Sequence, residues 1–154
     1  MRRSDREIKD IAAILDIISS CSCCRIGFSD NGEIYIVPLS FGYEYSNEAL
    51  TLWFHSASEG RKISLSASSP VVGFEMDTGY AVHLSDSPCK CSASFDSVIG
   101  TGTITIVSSE EEKFHGLQQI MKHTAGTMPE QFASMDKVTV LRLDVRSFSC
   151  KHHD

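Results

Sequence analysis

The sequence lacks an excess of positive charge and any long apolar run. Its 154 residues carry 14 Lys and Arg against 20 Asp and Glu, which gives a net charge of −6. Nucleic-acid binding needs an excess of cations, so we expect no nucleic-acid partner, although a local basic cluster could hold one phosphorylated small molecule. No stretch reaches the length of a membrane span, and the charged segment at residues 1–10 predicts no secretory signal. We therefore expect a cytoplasmic protein that does not associate with membranes.

The six cysteines lack the spacing of a structural zinc site. They occur as C-x-C-C over residues 21–24, as C-x-C over residues 89–91, and singly at Cys150. Structural zinc sites use paired C-x2-C motifs, so we predict no metal. In a reducing compartment these residues stay thiols. A Cys-rich metal or redox-sensing protein is nevertheless kept as a third functional hypothesis, after the two that are given at the end of this section.

Hydrophobic periodicity predicts one domain over residues 1–154, with three helices and many short strands. The N-terminal segment 1–20 is predicted to be helical, with the helix itself over residues 4–19. A capping box formed by Ser4 and Glu7 is predicted to begin this helix. A short helix lies within residues 56–68, and a third runs from the Ser109 cap to Ala125 and ends at Gly126. We predict a loose tail over residues 146–154. Strands are predicted over residues 25–28, 33–40, 41–45, 50–54, 71–76, 80–84, 95–107 and 138–145.

From these eight segments we expect a sheet of six or seven strands, with no alternation of strand and helix. Pro38 predicts an edge, a bulge or a ligand contact in its strand, since proline cannot donate a ladder hydrogen bond. Many short antiparallel strands with a few peripheral helices favour a mainly β, α+β barrel or sandwich.

The segment from residue 52 to residue 62, LWFHSASEGRK, carries the clearest chemistry. A strand ends near His55, a loop of small residues follows, and adjacent Arg61 and Lys62 begin a helix. Helix-start N–H groups, hydroxyls and two cations together can bind a terminal phosphate. A solvated helix start explains the same residues equally well.

Three segments resemble the nitroimidazole-resistance branch of the pyridoxamine 5′-phosphate oxidase-like proteins. They are YIVPLSFGY at residues 35–43, FHSA with EGRK at residues 54–62, and SVIGTG at residues 97–102. The resemblance covers nearly the whole chain. It implies a split β-barrel homodimer with FMN in each of two clefts between the subunits.

The resemblance also implies a set of FMN-binding residues. Arg61 and Lys62 would hold the phosphate, with His55 and Ser56 beside them. The ring system would be contacted along one side by Val37, Pro38, Leu39 and Ser40. Ser97 and Val98 would reach the flavin from the facing strand. No catalytic residue is assigned. We interpret His55 as a residue that shapes the pocket, and His123 as a residue favoured by the dipole of the third helix.

The resulting hypothesis is an FMN-dependent oxidoreductase that reduces a small organic substrate, including a nitroaromatic or nitroimidazole compound. Pyridoxamine 5′-phosphate oxidases proper carry a Trp and an Arg near the C-terminus. Here the one Trp is Trp53, in mid-chain, which argues against that activity. The alternative is a non-catalytic flavin- or haem-binding module on the same barrel.

Overall fold

The computed structural model of the protein describes residues 4–154, and its centre is one open antiparallel sheet. Seven strands follow the order β3-β2-β6-β7-β8-β5-β4, and the two-residue β1 pairs with β8. The strands are β1 (Glu7–Ile8), β2 (Cys24–Asp30), β3 (Glu33–Leu39), β4 (Phe41–Ser46), β5 (Ala49–Ser56), β6 (Val71–His83), β7 (Ser92–Ile106) and β8 (Thr139–His153). The helices are α1 (Ile11–Ser20), α2 (Arg61–Ser68) and α3 (Glu110–Ala125).

The two edges of the sheet are joined through a single residue. β3 is one edge and ends at Leu39, whereas β4 is the other edge and begins at Phe41, so only Ser40 separates them. The sheet must therefore curl until its edges approach one another at Ser40, without closing into a continuous ladder. This is the predicted split barrel with three helices.

The core lies in two parts. The main cluster fills the barrel with buried side chains such as Phe28, Phe41 and Phe54. A second cluster of Trp53, Leu117, Ile120 and Val140 lies between the sheet and α3.

Two glycines bring α3 onto β4 and β5. A Cβ at Gly42 would lie 2.3 Å from the backbone carbon of Gln119, and one at Gly116 would lie 2.5 Å from the Trp53 ring. Any larger residue at either position would push the helix away from the sheet. This close packing places the C-terminal half of α3 beside the junction of β3 and β4.

Several local predictions are confirmed. Asn31 and Gly32 form the β2–β3 turn with φ values of 52° and 90°, and Pro38 lies on an edge strand. The Ser109 hydroxyl caps α3 by accepting from the N–H of Glu112 at 3.3 Å, and Gly126 ends the helix in the left-handed conformation. These elements depend on local sequence, which explains why their bounds were predictable.

Both predicted chain ends are wrong. The first helix begins at Ile11, capped by Asp10, because residues 7 and 8 instead pair with Lys151 and Cys150 of β8. The predicted Ser4–Glu7 capping box depends on the Ser4 side chain, which lies outside the side chains that the structure describes. The tail predicted as loose continues β8 as far as His153, since it pairs with β7 on one side and β1 on the other.

The strands predicted over 71–76 and 80–84 are one strand, β6, whose pairing with β7 is irregular between Thr78 and Ala81. No helix within residues 4–154 is long and apolar enough to cross a membrane.

Candidate functional site

The end of β5 carries an unsatisfied buried hydroxyl. Ser56, the last residue of β5, is 8% exposed, and its Oγ has no hydrogen-bond partner. Within residues 4–154 no other buried side-chain oxygen or nitrogen is left in this state. A buried polar group without a partner costs about 1–3 kcal/mol. A bound ligand that offers a hydrogen-bonding oxygen near Ser56 would remove this cost.

The two cations that follow differ in their surroundings. Arg61 Nε donates to Asp30 Oδ2 at 2.8 Å, its Nη2 lies 3.6 Å from Glu33 Oε2, and its guanidinium stacks on Tyr35 at 4.7 Å. These carboxylates raise the pKa of Arg61, chiefly through the hydrogen bond with Asp30. Lys62 forms no salt bridge with any residue that the structure describes. The Lys62 ammonium is therefore the less committed of the two cations.

His55 and Ser40 contribute to one apolar cavity. Because Phe41 pairs with Phe54, residues 40 and 55 are the next opposed positions of the β4–β5 register. Both line a cavity of about 300 Å³, whose remaining walls are Leu117, Ile120, Met121, Thr124, Phe132 and Val138. Its volume is at the lower limit of small-molecule sites, which suits one ring system better than a whole dinucleotide. The His55 ring is exposed and has no hydrogen-bond partner within residues 4–154.

The predicted ring-contact residues lie on the β3 edge. Val37 and Leu39 are half-buried and pack against the barrel core, whereas Pro38 and Ser40 are exposed. An edge strand leaves about half of its backbone polar groups unpaired, so β3 offers apolar side chains and free backbone groups side by side. This combination suits a planar ring system with a polar edge.

Ser97 and Val98 lie away from the other predicted residues of the same chain. They belong to β7, and β2 and β6 separate that strand from β3. Three inter-strand steps correspond to about 14 Å along the sheet. Val98 is fully buried and Ser97 half-buried, so Val98 could contact a ligand only through its backbone.

His123 connects two elements around the Ser40 junction. Its Nδ1 donates to the Phe41 carbonyl at 2.7 Å, and its Nε2 lies 3.3 Å from the Ser19 carbonyl. The ring packs on Phe41 with centroids 4.3 Å apart. His123 therefore links α3 to β4 and α1. Sequence reasoning missed this positioning role, because Phe41 precedes His123 by 82 positions and Ser19 precedes it by 104, and no local pattern spans such separations.

The cysteines separate into buried and exposed groups. Burial raises the pKa of Cys21 to about 12 and that of Cys150 to about 11, and it also raises the pKa of Cys24. Cys89 and Cys91 are exposed on the β6–β7 connection. No group of three or more potential metal-binding side chains occurs in the described part of the chain.

Comparison with known proteins identifies the family. The model of the pyridoxamine 5′-phosphate oxidase family matches residues 10–152. The chain belongs to this family. A search of curated protein sequences finds no match.

Solved structures agree with the family fold. A candidate 5-nitroimidazole antibiotic resistance protein from Bacteroides thetaiotaomicron is 29% identical, with a TM-score of 0.78 over 95% of this chain and 86% of that one. The flavocytochrome Anf3 from Azotobacter vinelandii also has a TM-score of 0.78, at 17% identity over 100% of this chain and 72% of that one. An FAD- and haem-binding protein from Mycobacterium smegmatis has the same score, at 13% identity over 97% and 74%.

Proposed function

We propose that this family member binds FMN and uses it to reduce a small organic acceptor. The observation that carries the proposal is the buried Ser56 hydroxyl, which lacks a partner at the end of β5, six residues before the unpaired Lys62. Phosphate oxygens supply the acceptors that both groups need. The resemblance to the Bacteroides protein and to flavin-containing structures supports the same assignment.

FMN fits the residues present better than a purely apolar ligand would. Ser56 and Lys62 would bind its phosphate, while Val37 and Leu39 would form a wall for the ring system. When bound, the flavin supplies hydride transfer. The cavity beside His55 would hold the acceptor and exclude water from it.

The proposed site needs a second copy of the chain. In its own subunit Ser97 is separated from the β3 edge by the two strands β2 and β6. We propose a homodimer in which each β7 completes the site of the other subunit. The outer sheet face supports this assembly, because Ile36 is 62% exposed and Ile99 is 52% exposed on it.

The proposed substrate is a nitroaromatic or nitroimidazole compound, not pyridoxamine 5′-phosphate. Trp53, the one Trp of the chain, is 2% exposed between the sheet and α3 and donates to Glu44. It cannot take the place of the substrate-binding Trp implied for the pyridoxamine phosphate oxidases proper.

A non-catalytic flavin- or haem-binding module is the second candidate. The exposed His55 imidazole without a partner favours it, since a free imidazole can coordinate haem iron. The haem-containing relatives make the same candidate worth testing.

An absorption spectrum of untreated purified protein separates these functions. We expect flavin bands, FMN as the flavin released on denaturation, bleaching by dithionite and recovery on adding a 5-nitroimidazole. A Soret band that His55→Ala removes would establish the haem alternative. A bound flavin that no organic acceptor reoxidises would refute the reductase and leave a flavin-binding module.

A further inference from the structure

A second cavity lies outside the proposed flavin site. It has a volume of about 510 Å³ and lies between α1, the free edge of β4, and α3. Its walls include Leu15, Tyr43, Glu44, Gln119, Lys122 and His123. It shares no residue with the cavity beside His55.

One side-chain amide that lines this cavity makes no hydrogen bond to the described chain. Gln119 is 7% exposed and lines the cavity, yet its side chain makes no hydrogen bond to any residue within 4–154. An amide offers two donors and one acceptor, and the Gln119 amide atoms keep contact with the cavity space, where a ligand could bond to them. Lys122 lies one turn further along the same face of α3, and its ammonium forms no salt bridge in the described chain.

Glu44 and His123, two further polar residues of the cavity, already have partners. Glu44 Oε1 accepts from Trp53 Nε1 at 3.2 Å, and its Oε2 lies 2.9 Å from His115 Nε2. His123 faces the Phe41 and Ser19 carbonyls. The unpaired groups include the Gln119 amide and the Lys122 ammonium, and both can donate hydrogen bonds to an anion.

Aromatic rings and one aliphatic side chain lie among the polar groups of the wall. Tyr43 meets the His123 ring edge-on, with centroids 5.4 Å apart, and Leu15 and Tyr45 also line the space. Burial raises the pKa of the Tyr43 hydroxyl, so the phenol stays neutral. A ligand here would need a flat apolar body and one anionic end.

We propose that the cavity between α1, β4 and α3 is a second binding site, which takes a small aromatic carboxylate. The carboxylate accepts hydrogen bonds from the Gln119 amide and the Lys122 ammonium, and the aromatic ring packs between Leu15 and Tyr43. This site is independent of the proposed flavin site.

Titration with benzoate tests the proposal on the full-length protein. Trp53 is the single Trp and donates to Glu44 in the cavity wall, so its fluorescence reports occupancy. We expect saturable binding of benzoate and at least tenfold weaker binding of the neutral isostere benzamide. Amide chemical shifts should change at Leu15, Tyr43 and Lys122, and not at His55.

Two variants and a matched control assign the contacts. Lys122→Gln should weaken benzoate binding about tenfold, and Gln119→Leu should weaken it several-fold. Lys113→Gln makes the same charge change on α3 outside the cavity and should leave the affinity unchanged. If Gln119→Leu fails to fold, the exposed Lys122 variant alone decides the test. Absence of saturation, equal binding of benzamide, or unchanged affinity in Lys122→Gln would overturn the proposal.

Discussion

Replacing Lys62 with Gln tests which cation recognises the phosphate of the proposed cofactor, FMN. Arg61 is already paired with Asp30 and Glu33, whereas Lys62 forms no salt bridge within residues 4–154. A new charge-assisted hydrogen bond contributes about 1.5–3 kcal/mol, which corresponds to roughly a 10- to 150-fold change in affinity. Lys62→Gln should therefore weaken FMN binding at least tenfold.

Riboflavin is the internal control for this variant, because it carries the same ring system without a phosphate. Its affinity should change less than about threefold in Lys62→Gln. Titrating the apoprotein by quenching of flavin fluorescence measures both ligands under the same conditions. Repeating the titrations at higher salt should reduce the difference between FMN and riboflavin, since salt screens the exposed charges.

Asp30→Asn provides a variant with the opposite expected sign. The substitution removes the charge that competes for Arg61 and preserves the shape of the side chain at the β2–β3 turn. FMN binding should strengthen a few-fold while riboflavin binding stays constant. Equal losses for both flavins in Lys62→Gln, or no loss for either, would refute phosphate recognition at this helix start. A larger FMN-specific loss in Arg61→Gln would show that the Asp30 pair opens when the ligand binds.

Three further predictions concern the thiols, the end of the sheet and the assembly. Alkylation at pH 8 followed by mass spectrometry should label the exposed Cys89 and Cys91 first, whereas Cys24, buried and with a raised thiol pKa, should react only on unfolding. Hydrogen bonds to Asp96 and Asp154 raise the pKa of His152 in the folded protein. The contribution of His152 to the free energy of unfolding should therefore be full below the pKa of the unfolded state and be lost as the pH rises through the higher folded pKa. In urea unfolding at several pH values, His152→Gln should abolish this part of the pH dependence. Light scattering should give about twice the chain mass of 17.0 kDa, and a flavin-bound monomer would exclude the shared site.

Local signals predicted the elements whose bounds proved accurate. The Ser109 cap, the glutamates of the first turn and Gly126 fix α3 from within its own sequence. The Asn31-Gly32 turn likewise needs only residues that accept positive φ. Neither feature depends on distant parts of the chain, so each could be predicted without knowing the fold.

The wrong chain ends show the opposite case. Residues 4–8 have a helical pattern, yet Glu7 and Ile8 pair with β8, about 140 residues away in sequence. The end of β8 is stabilised in turn by β7 and β1 on its two sides. Tertiary pairing overrides local propensity at both ends, and no single-segment pattern contains that information.

The candidate site combines both kinds of information. A β4–β5 hairpin was predicted, and its register places Ser40 opposite His55, so their proximity was accessible from sequence. The apolar wall that turns this pair into a cavity comes from α3, which reaches the hairpin only because Gly42 and Gly116 leave no Cβ in its path. Substituting Ala at Gly42 should therefore disturb the cavity beside His55 before it affects Ser56 and the proposed phosphate site. The two ends of the proposed flavin site thus depend on different parts of the fold, the acceptor end on helix packing and the phosphate end on the β5–α2 loop.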